Sequence, residues 1–188
     1  QALEQAAGAG GVAAVIDLRA LEPAVSDATG PFELQRAALA PCVAAVELLA
    51  AMAETAPGAR LWLVTRGAQP VGNIAVEGTV QAPLVGLGRT IRLEQPGRFG
   101  GLVDLDPDAA PADAAAALLD LLGEPATDNQ IVLRSGRVYR MEIDRWSGPG
   151  GGRSVRAGVS YLITGGLGAV GQAVAEWLAA EGATHLAL

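Results

Sequence analysis

Apolar residues in this chain fall into short unbroken runs, separated by longer stretches in which they recur every three or four positions. The runs Val12–Leu18, Leu61–Thr65 and Gly101–Leu105 predict strands buried on both faces, as in a parallel sheet. The stretches between them predict helices. One starts with Pro41 in its first turn and runs to about Thr55, with Val43, Val46, Leu49 and Ala53 on its inward stripe. A second opens at Pro83 and stops at Pro96-Gly97, with Leu84, Leu87, Ile91 and Leu93 facing inward. A third covers Asp113–Leu122 and ends at Gly123. Gln130–Arg134 and Arg137–Met141, separated by Ser135-Gly136, predict a hairpin or two short edge strands.

From Ser147 to Gly158 the apolar pattern stops, and eight of the twelve residues are glycine, proline or serine, the composition of a flexible linker. The pattern then restarts with a strand over 159–163, a glycine-rich turn, a helix over 170–181 and a strand over 184–188. Two α/β units joined by a linker are expected. In the second helix unit, Val170, Val174, Trp177 and Leu178 form the expected inward stripe and Gly182 the C-terminal stop.

Composition removes several chemistries. All thirteen basic residues are arginine, so a Walker lysine, a Schiff-base lysine and a Tyr-x-x-x-Lys pair are absent from the sequence. A net charge of -7 argues against a nucleic-acid partner. The single cysteine, Cys42, lies in an apolar helical context and reads as a buried structural thiol, not a nucleophile. The apolar stretch Ala37–Ala53 contains Pro41 and Glu47 and reads as a core helix, with no membrane partner expected. No signal peptide is evident, and a cytoplasmic protein is the simplest expectation. The lone histidine, His185, is expected as a packed or edge-facing strand residue. With one histidine and no Gly-x-Ser-x-Gly, a Ser-His-Asp hydrolase is disfavoured. The trio Asp104, Asp106 and Asp108 lacks calcium-loop spacing and is expected to be a solvated strand-to-loop connection, with no metal site. Gly8–Gly11 resembles half a fingerprint but precedes a strand and reads as a linker.

The candidate chemistry lies in Thr164-Gly165-Gly166-Leu167-Gly168-Ala169-Val170-Gly171. Gly166-x-Gly168-x-x-Gly171 sits between an expected strand and an expected helix, the context in which such spacing binds a dinucleotide. The first glycines permit the tight turn and the close approach of a pyrophosphate; Gly171 is expected to let the helix pack against its strand. Free N–H groups at the helix start favour the anion. The residue that selects NAD or NADP belongs at the end of the following strand, so this choice is not read from these residues.

Three pieces of the sequence resemble the ketoreductase region of modular polyketide synthases: Val15–Arg19; Ala82–Pro96 with Gly100–Leu105; and Tyr161–Gly171. The resemblance implies an α/β fold with residues 1–146 as a truncated, catalytically silent Rossmann-like structural subdomain. Residues 147–158 are then a linker, and 159–188 the first βαβ unit of a second Rossmann fold, the NADPH-binding catalytic half. It implies reduction of the β-keto group of an acyl chain on an acyl carrier protein, with NADPH as cofactor. Thr164, Gly165, Gly166, Leu167, Gly168, Ala169, Val170 and Gly171 would then bind the cofactor. Implied partners are the rest of the catalytic segment, other synthase domains and the carrier-bound substrate.

The family's catalytic Ser, Tyr and Lys or Asn have no counterparts here. Tyr139 is followed four positions on by Ile143, and Tyr161 by Gly165. No catalytic residue is therefore assigned, and the chain by itself is expected to be inactive. In fully reducing modules an enoylreductase is inserted between the halves, at the position of 147–158; twelve residues there favour a module without it. A non-catalytic pseudo-ketoreductase that organises neighbouring domains is the alternative.

Overall fold

A computed structural model describes residues 11–22, 25, 26, 28–123, 130–143, 145, 148 and 155–188. The chain divides into two compact units, residues 1–143 and 144–188. Most of the 147–158 linker and the start of the Gly8–Gly11 segment lie outside the described residues.

Unit 1 is a Rossmann-like α/β layer built on a five-stranded sheet. Its strands are β1 (Ala14–Asp17), β2 (Arg60–Arg66), β3 (Phe99–Leu105), β4 (Gln130–Arg134) and β5 (Arg137–Arg140), in the order β1-β2-β3-β4-β5. The first four are mutually parallel and β5 returns antiparallel to β4. The connecting helices are α1 (Pro31–Thr55), α2 (Ala82–Glu94) and α3 (Pro111–Gly123).

Strand β2 is buried from Leu61 to Thr65 because both sheet faces are covered. Leu61 and Leu63 join Ala45, Leu49 and Met52 of α1, Leu84 and Ile91 of α2, and Leu102 in one core. Trp62 and Val64 face the other way, onto Val103, Leu105, Ile131, Leu133 and α3 through Ala114 and Leu118. Beneath Trp62 lies Gly100, where a Cβ would run into the indole ring. The β2–β3 register shifts between Leu61 and Trp62 to seat that contact. Strand β1 departs from the expected two-sided burial: it is an edge strand with only Asp17 fully buried.

The hairpin expected at Ser135-Gly136 forms as β4–β5. Both turn residues have positive φ, 49° and 69°, matching a two-residue turn that follows the strand twist. Helix α1 corrects the sequence reading. It starts ten residues earlier, with Pro31 at the position where a missing N–H is harmless, and Pro41 lies inside it, buried. Its buried stripe is Pro41, Ala45, Leu49 and Met52, whereas Val43 and Val46 are 57% and 52% exposed. In α2, Leu84 and Ile91 are buried and Leu87 packs against them, but Leu93 is 82% exposed.

Among the described residues α1 is the one helix long and apolar enough to cross a membrane. Its inward face instead forms part of the α/β core. Cys42 is half-buried against that core, its thiol donating to the Ala38 carbonyl at 3.7 Å. Burial raises its pKa, which disfavours the thiolate a nucleophile needs.

The acidic trio also departs from expectation, since Asp104 is fully buried. Asp106 is half-buried and accepts from the N–H groups of Asp108 (3.0 Å) and Ser135. Desolvation acts to raise its pKa, but those two N–H bonds and the Arg134 and Arg66 charges outweigh it and hold the carboxyl below its usual value. A depressed folded pKa stabilises the native state above the unfolded value, near pH 4, and that contribution is lost as pH falls through the folded value. Urea midpoints measured downward from about pH 6 should therefore fall less steeply below about pH 4 in Asp106→Asn than in the wild type.

Unit 2 has strands β6 (Ser160–Leu162) and β7 (His185–Ala187), paired in parallel, and helix α4 (Ala169–Ala180) between them. Gly182, at φ 99°, ends α4 as expected. The N–H of Ala183 bonds to the Leu178 carbonyl (2.9 Å) and that of Gly182 to Ala179 (3.1 Å).

Candidate functional site

The eight candidate residues form the turn between β6 and α4. After β6, Ile163 donates to the Ala187 carbonyl at 2.8 Å, which seats the turn at the end of the sheet. The Gly166 N–H then closes onto the Ile163 carbonyl (3.1 Å), with Gly165 at φ 75°, a conformation that favours glycine. A second closure, Gly168 N–H to the Gly165 carbonyl at 3.0 Å, delivers the chain to α4.

The three fingerprint glycines differ in what a side chain would meet. A Cβ on Gly166 would lie 2.8 Å from the Leu188 backbone and side chain. One on Gly171 would collide with the Gly165 carbonyl and the Gly166 backbone. Gly171 therefore lets the start of the helix pass its own turn.

Gly168 is different. It sits at φ -81°, ψ 163°, where any residue is comfortable, and a Cβ there would meet only the Gly165 carbonyl, at an ordinary 3.4 Å. Among the described residues nothing requires glycine at this position. The absence of a side chain here leaves room for a ligand to approach the backbone from outside.

Gly168 caps α4 without a side-chain bond, so the first-turn N–H groups of Ala169, Val170 and Gly171 have no intrahelical acceptor. They sit at the positive end of the helix dipole. Thr164, Gly165, Leu167, Gly168, Ala169 and Val170 are exposed, Gly171 is half-buried and Gly166 is buried. These residues make an accessible rim of N–H donors with no acidic side chain, which fits the pyrophosphate of a dinucleotide.

The expected inward stripe of α4 is corrected. Ala175 and Leu178 are buried, while Val170 is 79% exposed and Val174 and Trp177 are each 40% exposed. With Ala169 and Ala173 they line a shallow apolar depression of about 500 Å³ beside the glycine turn. His185 is exposed on β7, its Nδ1 3.0 Å from the Thr184 hydroxyl.

Unit 1 carries a second polar cluster, at the C-terminal end of its parallel strands. The Asp104 carboxylate accepts from the Thr65 hydroxyl at 2.6 Å and from the N–H groups of Ala68 (2.9 Å) and Gln69 (3.0 Å). It also pairs with Arg134, which is 2% exposed. Arg134 donates in addition to the carbonyls of Leu105 (3.0 Å), Leu133 (2.7 Å) and Gln69 (2.8 Å). Four donors occupy the acceptor positions of the carboxylate. Strand order in this unit never reverses, so the crevice that a doubly wound sheet opens at its switch point does not arise.

A family profile described as the Rossmann fold domain of the polyketide synthase extender module SpnB matches residues 1–142, three quarters of the chain. The chain belongs to the ketoreductase region of modular polyketide synthases. A ketoreductase (KR) domain profile matches residues 159–188, the unit that holds the glycine turn. The chain is 37% identical over 156 residues to erythronolide synthase EryA3 of Saccharopolyspora erythraea, covering 80% of this chain and 5% of that protein. It is 39% identical to the pikromycin synthase component PikAIII of Streptomyces venezuelae, covering 80% and 10%.

Solved ketoreductases superpose over nearly the whole chain. The first ketoreductase of the tylosin synthase gives a TM-score of 0.77 at 28% identity, and an A-type ketoreductase 0.69 at 34%. Each covers 98% of this chain, which spans 37% and 39% of those structures. The polyketide synthase ketoreductase segment described here is thus similar to a little over a third of a solved ketoreductase.

Proposed function

We propose that this segment serves a ketoreductase that reduces the β-keto group of an acyl chain carried on an acyl carrier protein, with NADPH as reductant. Residues 1–146 act as the structural scaffold. Residues 159–188 open the cofactor-binding half, with 147–158 between them. The observation that carries the reading is Gly168, a glycine that no described residue crowds, at the mouth of a helix with uncapped N–H groups.

In this reading the N–H groups of Ala169, Val170 and Gly171 hold the pyrophosphate, and the chain's other turn residues shape its approach. Bound there, NADPH supplies the hydride. Gly165 and Gly166 keep the turn narrow enough for the backbone to meet the phosphates. Unit 1 contributes rigidity, because its buried carboxylate is fully occupied by Thr65, Ala68, Gln69 and Arg134. The rest of the catalytic half and the neighbouring synthase domains are the partners this arrangement requires.

The test is turnover by the synthase module that carries this sequence, given a β-ketoacyl thioester and NADPH. Substrate-dependent loss of NADPH absorbance and formation of the β-hydroxy product are expected. A module that binds no NADPH and forms no hydroxy product would point instead to a non-catalytic scaffold.

A further inference from the structure

Gln172 lies outside the glycine fingerprint, one residue beyond Gly171 in the first turns of α4. Its backbone N–H makes the first regular helical bond, to the Gly168 carbonyl at 2.9 Å. Its side chain turns back, and Nε2 donates to the Leu167 carbonyl at 3.1 Å. The other half of that peptide group, the Gly168 N–H, is held by the Gly165 carbonyl at 3.0 Å. The Leu167–Gly168 peptide is thus fixed at both of its polar ends, one of them by a side chain.

This peptide needs fixing. It sits in a turn with glycine at 165, 166 and 168, where the backbone has unusual freedom to rotate. Rotation of the Leu167–Gly168 plane would break both bonds and swing a carbonyl oxygen out of its present contact with Gln172. An oxygen released toward the helix mouth would repel an anion that the N–H groups of Ala169, Val170 and Gly171 otherwise attract. A glycine-rich turn that is ordered before binding also loses less conformational entropy when the ligand arrives.

We infer that Gln172 is a positioning residue for the cofactor: it locks the Leu167 carbonyl inward and so keeps the phosphate-facing side of the turn free of acceptors. The inference rests on the reading of this turn as the NADPH site. Gln172 touches the turn and is assigned no contact with the cofactor.

The experiment uses the synthase module that carries this sequence, with NADPH varied at saturating β-ketoacyl thioester. Gln172→Met keeps length and bulk but removes the donor. Gln172→Glu keeps the shape but sets a carboxylate against the Leu167 carbonyl. Gln172→Met should raise KM for NADPH about three- to tenfold, the worth of one hydrogen bond, with kcat unchanged. Gln172→Glu should raise it further, and neither variant should shift the melting temperature by more than about 1 °C. An unchanged KM in Gln172→Met overturns the inference while leaving the cofactor reading intact. A fall in kcat and melting temperature together would assign Gln172 to general stability and also overturn it. If the wild-type module shows no saturable dependence on NADPH, the cofactor reading fails and the inference fails with it.

Discussion

Asp104→Ala should destabilise unit 1 by about 3–5 kcal/mol, the cost of leaving a buried charge without its partner. Arg134, 2% exposed, would keep its carbonyl acceptors at Leu105, Leu133 and Gln69 but lose its only carboxylate among the described contacts. The N–H groups of Ala68 and Gln69 and the Thr65 hydroxyl would lose their acceptor at the same time. A whole domain is stable by about 5–15 kcal/mol, so this single change removes a third or more of the margin. Arg134→Met should cost less, because the Asp104 carboxylate keeps three donors. The double variant Asp104→Leu with Arg134→Met should cost less than the sum of the two single changes, since neither residue is then left charged and alone. Urea unfolding followed by circular dichroism measures all of these. A cost below about 1 kcal/mol for Asp104→Ala would mean that the network contributes little.

Gly171 and Gly168 of the glycine turn should separate folding from the proposed cofactor binding. Gly171→Ala places a methyl group on the Gly165 carbonyl and the Gly166 backbone. Both obstacles are main chain, so α4 has to shift, at a cost of about 1–3 kcal/mol or more in stability. The first-turn N–H groups move with the helix, and NADPH affinity falls with stability. Gly168→Ser meets no such obstacle, and a serine at a helix N-cap is at least as favourable as glycine, by a few tenths of a kcal/mol. Its side chain nevertheless stands where the ligand backbone contact is proposed. Affinity for NADPH should fall at least about tenfold, or about 1.4 kcal/mol, with stability unchanged.

The parts of the fold set by local chemistry were legible in the sequence. The Ser135-Gly136 hairpin follows from a turn that needs two positive φ angles, and the stop at Gly182 from a helix end that needs one. The central strand β2 was legible because an unbroken apolar run suits a strand covered on both faces. The strand–turn–helix context of the glycine turn was legible for the same reason.

What long-range packing decides was not. Asp104 looks like one member of a solvated acidic trio. Its partners Thr65 and Arg134 lie 39 and 30 positions away, so no local pattern announces the ion pair. Pro41 looks like a helix start, yet Pro31 occupies that place and Pro41 is absorbed into the core. In α1 the apolar residues run round the helix, so Val43 and Val46 were as plausible inward as Ala45 and Met52. Val170 and Val174 misled in the same way in α4, where only Ala175 and Leu178 are buried. The contrast between Gly168 and its neighbours required the structure, because only the space around a missing Cβ separates a glycine that the turn crowds from one that it does not.

The most direct measurement is a calorimetric titration of NADPH into the synthase module that carries this sequence, wild type against Gly168→Ser, with melting temperatures recorded for both. Saturable binding by the wild type is expected, weakened at least about tenfold in Gly168→Ser at an unchanged melting temperature. Equal affinity in the two proteins, or no binding by the wild type, would contradict the assignment of this turn as the cofactor site.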